Sequence, residues 1–291
     1  MIEDISGNID YEESGTGPTM VLVPGSCSTG AAWRPVIAAW ENRFRCVTTS
    51  LPGYGGTAER RIPGDSSISL EAETLESVIR KAGGRVHLVG HSFGGLVALA
   101  VALRGQARLA SLTVIEAPAV MMLDGSGEMQ HIRAFGEMTG GYFAAFRDGK
   151  ADAIEALIDF FAGAGTFASW PTRVRAYAMA TTPVNILDWE TAFDYPLTAE
   201  VLAQVEVPTL VIRGGESHPA MQRVNEILSE RMTRATLATI EGAAHFMIAT
   251  HAAEVARLIA QHAHRAEAAP AADVGAGFSR QATGVMAGKL F

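Results

Sequence analysis

Residues 86–100 read Val86-His-Leu-Val-Gly90-His-Ser92-Phe-Gly94-Gly95-Leu-Val-Ala-Leu-Ala100. An apolar strand pattern runs into Gly-x-Ser-x-Gly and straight on into an apolar, small-residue helix. A serine held on so sharp a strand-to-helix turn takes a strained backbone and leaves no space for neighbouring Cβ atoms. Glycine at 90 and 94 supplies that space. The turn sets the Ser92 hydroxyl at the carboxyl edge of a sheet. It also aims the positive end of the following helix at any oxyanion formed there.

Working outward, short apolar runs suited to strands buried on both faces occur at 19–23, 44–49, 86–89, 112–115, 209–212 and 235–240. Helical patterns lie between most of them, at 33–40, 70–81 and 93–103. The alternation predicts an α/β fold with a doubly wound, mostly parallel sheet. Residues 2–13 alternate weakly and predict a small hairpin. The alternation stops between 119 and 205, where only helix-like segments follow one another, near 127–146, 151–161, 170–180 and 186–193. That is far beyond the usual αβ connection, so an inserted all-helical cap is expected. Residues 1–118 and 206–265 then form the core, 119–205 the cap, and 266–291 a tail rich in Ala and Gly.

Of the 291 residues, 48% are hydrophobic and 19% are charged, which is globular composition. Net charge is −8 with no basic run, so neither a nucleic-acid footprint nor a polybasic membrane signal is present. The acidic N-terminus has no signal-peptide pattern, and no window is long and apolar enough to span a bilayer. Cys27 and Cys46 are the two cysteines, in no metal-binding spacing. A cytoplasmic protein without cofactor or metal is expected, with a homodimer left open.

A serine hydroxyl at neutral pH needs a base. His245, in Ile240-Glu-Gly-Ala-Ala-His245-Phe-Met, follows the last strand run across a short Gly-containing loop and reaches the same sheet edge. His87 falls inside a strand, His91 flanks the nucleophile, and His251, His262 and His264 belong to the terminal helix. His218, in a loop near that edge, is the one rival.

With these motifs in place, residues 2–264 resemble the α/β-hydrolase fold family. Leu22-Val-Pro24-Gly25-Ser26, with Trp33 downstream, resembles the family's His-Gly-x oxyanion loop and its Trp. Ser50-Leu-Pro-Gly53-Tyr-Gly55-Gly-Thr57 resembles the Asp-x-x-Gly-x-Gly-x-Ser loop, and Gly242-Ala-Ala-His245 the catalytic-His loop. Pro24 stands where His is more usual, and Ser50 where Asp is. The resemblance implies backbone N–H donors at Ser26 and Phe93 for the oxyanion of a tetrahedral intermediate.

The acid of the triad is ambiguous. The family's usual Asp follows the strand at 209–212, where this chain reads Arg213-Gly-Gly-Glu216-Ser217-His218-Pro219. Glu116, closing the run Leu112-Thr-Val-Ile-Glu116, resembles a variation with the acid one strand earlier, as in some haloalkane dehalogenases. Glu216 lies in the usual loop, slightly early. Both keep the order Ser, acid, His.

These residues predict a serine hydrolase acting on a small-to-medium hydrophobic ester or lactone through an acyl-enzyme. Cys27, Trp33, Met121 and Phe246 are the expected substrate contacts. A C–C bond hydrolase, a cofactor-free perhydrolase and a ligand-binding homologue with weak turnover are the alternatives. A Ser at the nucleophile position argues against dehalogenase or epoxide hydrolase chemistry, which needs a carboxylate.

Overall fold

Apolar runs punctuated by Gly and Pro become the strands of the computed structural model, which describes residues 1–4, 7–62, 64, 66–124 and 127–268. The strands are β1 (Ile2–Asp4), β2 (Gly7–Ile9), β3 (Glu12–Ser14), β4 (Thr19–Val23), β5 (Arg45–Thr48), β6 (Val86–His91), β7 (Leu109–Ile115), β8 (Thr209–Gly214) and β9 (Ala235–Ile240). The helices are α1 (Arg34–Ala39), α2 (Ser69–Ala82), α3 (Phe93–Arg104), α4 (Met129–Arg147), α5 (Ile154–Ala162), α6 (Thr166–Ser169), α7 (Thr172–Ala180), α8 (Thr182–Asp194), α9 (Ala199–Leu202), α10 (Pro219–Arg231), α11 (Met247–Thr250) and α12 (Ala252–Ala268).

Seven strands form one sheet in the order β3-β5-β4-β6-β7-β8-β9. All neighbours are parallel except β3, which runs antiparallel to β5. The chain leaves β4 for β5 on one side and later builds β6 on the other, so the crevice between β4 and β6 is the switch point where such sheets place ligands. Register aligns the carboxyl ends: Val23 pairs with Gly90, His91 with Ile115, Ile115 with Ile212 and Gly214 with Ile240. The loops carrying Ser26, Ser92, Glu116 and His245 therefore leave the sheet along one rim.

One face of the sheet packs on α2, α3 and α10, and its core continues into the inserted helices through Phe135, Tyr142, Phe161 and Trp189. The other face is covered by α1, α11 and α12. There Trp40 Nε1 donates to the Ala256 carbonyl at 2.8 Å and ties the first helix to the last. Helices α4–α9 fill the insertion between β7 and β8, which holds no strand among the described residues. No helix there or elsewhere among those residues is long and apolar enough to cross a membrane.

Several expected boundaries move. The hairpin is only β1 with β2, because Glu12–Ser14 leaves it to extend the main sheet. The helix expected over 33–40 is split: Gly30–Trp33 is a 3-10 turn, and α1 begins with Pro35 in its first turn. Helix α10, with Pro219 opening it, is an element that apolar periodicity alone did not announce. Helix α12 runs to Ala268, past the expected start of the tail at 266. The rest of the expected tail, 269–291, lies outside the described residues.

Candidate active site

At the end of β6 the chain turns into α3 through Ser92, which adopts φ 53° and ψ −130°. Packing makes glycine obligatory around it. A Cβ on Gly90 would meet the Gly94 carbonyl oxygen at 2.2 Å, and one on Gly94 would meet the Pro24 carbonyl oxygen at 2.2 Å. The Ser92 N–H donates to the Ile115 carbonyl at 2.8 Å and pins the elbow to β7. Two further residues of the rim, Cys27 (φ 55°) and Glu116 (φ 50°), share this left-handed backbone. Non-glycine residues hold it only where their surroundings over-determine it.

His245 Nε2 lies 3.0 Å from Ser92 Oγ, and its Nδ1 lies 3.0 Å from Glu116 Oε2. Glu116 is fully buried. Its backbone N–H donates to Ile212 at 3.0 Å, and its Oε1 accepts from Gly214 N–H at 2.8 Å. Both carboxylate oxygens are thus committed, which offsets the cost of burying the group. The left-handed turn directly after β7 brings this side chain back over the sheet edge to His245. Glu216 does not join them: it is exposed, and its backbone N–H pairs with Ala243 at 2.8 Å. His218 stands apart too, stacked on Phe160 at 4.0 Å.

The imidazole of His245 is held from several sides. Phe161 of α5 stacks on it at 4.5 Å and 22°, and Phe246 meets it edge-on at 5.2 Å. The His91 Nε2–H donates to the His245 carbonyl at 2.8 Å. Burial, with a smaller contribution from His245, holds the His91 imidazole down to about 3, so it stays neutral while donating.

A cavity of about 40 Å³ opens beside Ser92, lined by Cys27, Phe93, Phe161, Asn185, Trp189 and Phe246 among others. Ser26 also borders it, and among the described residues no protein acceptor pairs with the backbone N–H of Ser26 or Phe93. Cys27 is partly exposed as a residue, but its thiol is enclosed beside Thr181 and Tyr54, and burial pushes it up to about 12. A thiol so held stays protonated at neutral pH and is no nucleophile. Both cysteines are free.

Two expected substrate contacts lie elsewhere. Trp33 is fully buried in the core beneath α1 and α12, because its 3-10 turn directs the indole to that face of the sheet. Met121 borders a separate groove with Leu197 and Ile227, since the turn over Val120–Leu123 carries it away from the rim.

Sequence inspection missed the polar floor of the cavity. Asn185, Asp188, Trp189 and Ala192 of α8 all line it, at the i, i+3, i+4, i+7 spacing of one helix face. Asp188 Oδ2 accepts from Ser26 Oγ at 2.5 Å and from the Tyr54 hydroxyl at 2.6 Å, while Oδ1 accepts from Arg61 at 2.6 Å. Arg61 also pairs with buried Glu71 at 2.9 Å and with Glu59 at 2.6 Å. Burial raises the Asp188 carboxyl, against the pull of Arg61, and pushes Glu71 up to about 7. An acidic residue inside an apolar helical pattern was the available signal.

Fold and rim geometry define the class. The profile of the alpha/beta hydrolase family matches residues 20–258, and the chain belongs to that family. Within it, a 120-residue stretch is 35% identical to the pimeloyl-[acyl-carrier protein] methyl ester esterase of Aeromonas hydrophila subsp. hydrophila, covering 40% of this chain and 45% of that protein. The matched stretch thus spans less than half the length of the curated relatives. An esterase from Thermogutta terrifontis superposes with a TM-score of 0.69 at 22% identity, over 89% of this chain and 93% of that one. The enol-lactonase from Burkholderia xenovorans LB400 does so with a TM-score of 0.69 at 18% identity, over 87% and 95%. These two likenesses establish the shared fold.

Proposed function

We infer that the protein is a serine hydrolase of small hydrophobic carboxylic esters or lactones. The observation that carries this is the unbroken hydrogen-bond chain from Ser92 through His245 to buried Glu116, at 3.0 Å and 3.0 Å. Glu116 accepts from Nδ1–H and so fixes the tautomer that leaves the Nε2 lone pair facing the Ser92 hydroxyl. Ser92 Oγ attacks the carbonyl carbon as Nε2 takes its proton. The N–H groups of Ser26 and Phe93 receive the oxyanion, a contribution on the order of 3 kcal/mol per donor. Collapse expels the alcohol, which takes the proton from Nε2, and leaves an acyl-Ser92 ester. Water, deprotonated by the same nitrogen, then releases the acid.

The esterase names of the relatives support ester bonds as the target. The small cavity, walled by Leu157, Ile158, Phe161 and Trp189, suits a short apolar acyl or alcohol group. The test is turnover of p-nitrophenyl acetate, butyrate and octanoate by wild type and Ser92→Ala. Wild type should prefer the shorter chains, and Ser92→Ala should lose at least about 10³-fold in kcat. Retained turnover in the folded variant would remove Ser92 from the chemistry.

A further inference from the structure

The cavity beside Ser92 is apolar apart from a few groups, and nearly all of those are already engaged. Ser26 Oγ donates to Asp188, and Asp188 accepts in addition from Tyr54 and Arg61. Ser92 and His245 bond each other. Asn185 is different. It is 1% exposed and borders the cavity. Its Oδ1 accepts from the buried Tyr142 hydroxyl at 3.0 Å, a shorter contact than the 3.5 Å from that hydroxyl to its other acceptor, the Thr182 carbonyl, and this orients the amide. Its Nδ2 has no protein partner among the described residues. Nor is Nδ2 among the buried side-chain nitrogens and oxygens that lack both solvent contact and a partner. An amide N–H that reaches a mainly apolar cavity, with its oxygen already held, is a donor for an acceptor seated there.

We propose that Asn185 Nδ2 is a specificity contact that binds a second, neutral hydrogen-bond acceptor on the ester, a ketone, ether or hydroxyl oxygen a few bonds from the scissile carbonyl. The acceptor is neutral because the Asp188 carboxylate lines the same small cavity and would oppose a substrate anion. The natural substrate is therefore an oxo- or hydroxy-substituted ester and not a plain alkyl ester. A site built to hydrogen-bond such an oxygen discriminates against an analogue that lacks it, because the buried donor is then left unpaired. The inference rests on the ester-hydrolase assignment above.

The experiment compares kcat/KM for p-nitrophenyl 4-oxopentanoate against p-nitrophenyl pentanoate, and for 2-oxopropyl acetate against isobutyl acetate. It uses wild type, Asn185→Leu and Asn185→Asp. Asn185→Asp keeps the acceptor for Tyr142 and removes the donor, so it serves if Asn185→Leu does not fold. Reading each oxo-to-alkyl ratio relative to wild type cancels the intrinsic reactivity of the esters. In at least one pair the ratio should fall by about tenfold or more in the variants. A residue with only a structural role would lower both rates and leave the ratio where it was. Unchanged ratios in folded variants, with wild type active on the esters, would overturn the subsite and leave the hydrolase assignment standing. Wild type inactive on every ester would overturn both.

Discussion

Glu116 concentrates the residue-scale physics. A left-handed backbone at φ 50° follows β7 and returns the carboxylate to His245, while Gly214 N–H occupies the other oxygen. Neither spacing nor residue type reveals which carboxylate turns back in this way, so Glu216 stayed open as the alternative to Glu116 in the sequence. Only the backbone angle separates them. Glu116→Gln keeps the shape but sets an amide NH₂ against Nδ1–H. Turnover of p-nitrophenyl acetate should fall on the order of 10³- to 10⁴-fold with the fold retained. Glu216→Gln, at an exposed side chain, should stay within about twofold. The reverse pattern would reassign the acid. Ser50 shows the same limit on sequence reading. It stands where the family resemblance leads one to expect Asp, and its hydroxyl donates to Asp10 Oδ2 at 2.9 Å. That oxygen also receives Gly56 N–H at 2.8 Å, so a carboxylate still serves the loop from 40 residues away.

At the scale of elements, β4, β6, β9, α2 and α3 were legible because periodicity and punctuation agree locally. The insertion was legible because strand signals cease. The inner face of α8 was not legible, because 186–193 reads as an apolar cluster and the meaning of Asp188 depends on Arg61 in a distant loop. That pair, at 2.6 Å and almost wholly buried, fastens α8 to the core and to Ser26 of the loop after β4. Arg61→Met would leave Asp188 and Glu71 buried without their counter-charge. Such a break typically costs about 3 to 5 kcal/mol, to be read as a lowered urea midpoint. A loss under about 1 kcal/mol would mean that the cluster does not hold α8 in place. Phe161 of α5 stacks on His245, so Phe161→Ala should lower kcat more than stability-matched substitutions elsewhere in the insertion, in stopped-flow acylation of Ser92.

The whole molecule brings four loops to one rim because a doubly wound sheet aligns the carboxyl ends of β4, β6, β7, β8 and β9. The doubly wound, mostly parallel sheet was accessible from βαβ alternation, whereas its strand order was not read from the sequence and the antiparallel edge strand β3 was too short and polar to announce itself. The buried charge cluster also gives the fold a pH signature. Burial lifts Glu71 from 4.5 to about 7 in the folded protein. The native state therefore binds more protons than the unfolded chain across that interval. The contribution of Glu71 is fully present below about 4.5 and is lost as pH rises through 7. Wild-type Tm minus that of Glu71→Gln should decrease steadily from pH 5 to 8, and a difference that rises with pH would contradict the assignment. The central claim is that one activated hydroxyl, Ser92, carries the chemistry. It is tested most directly by exposing the native protein to a fluorophosphonate and locating the adduct by peptide mass spectrometry. A single adduct on Ser92, absent from Ser92→Ala and strongly slowed in His245→Gln, is the result predicted here. Folded wild-type protein that stays unlabelled, or carries its label on another residue, would contradict it.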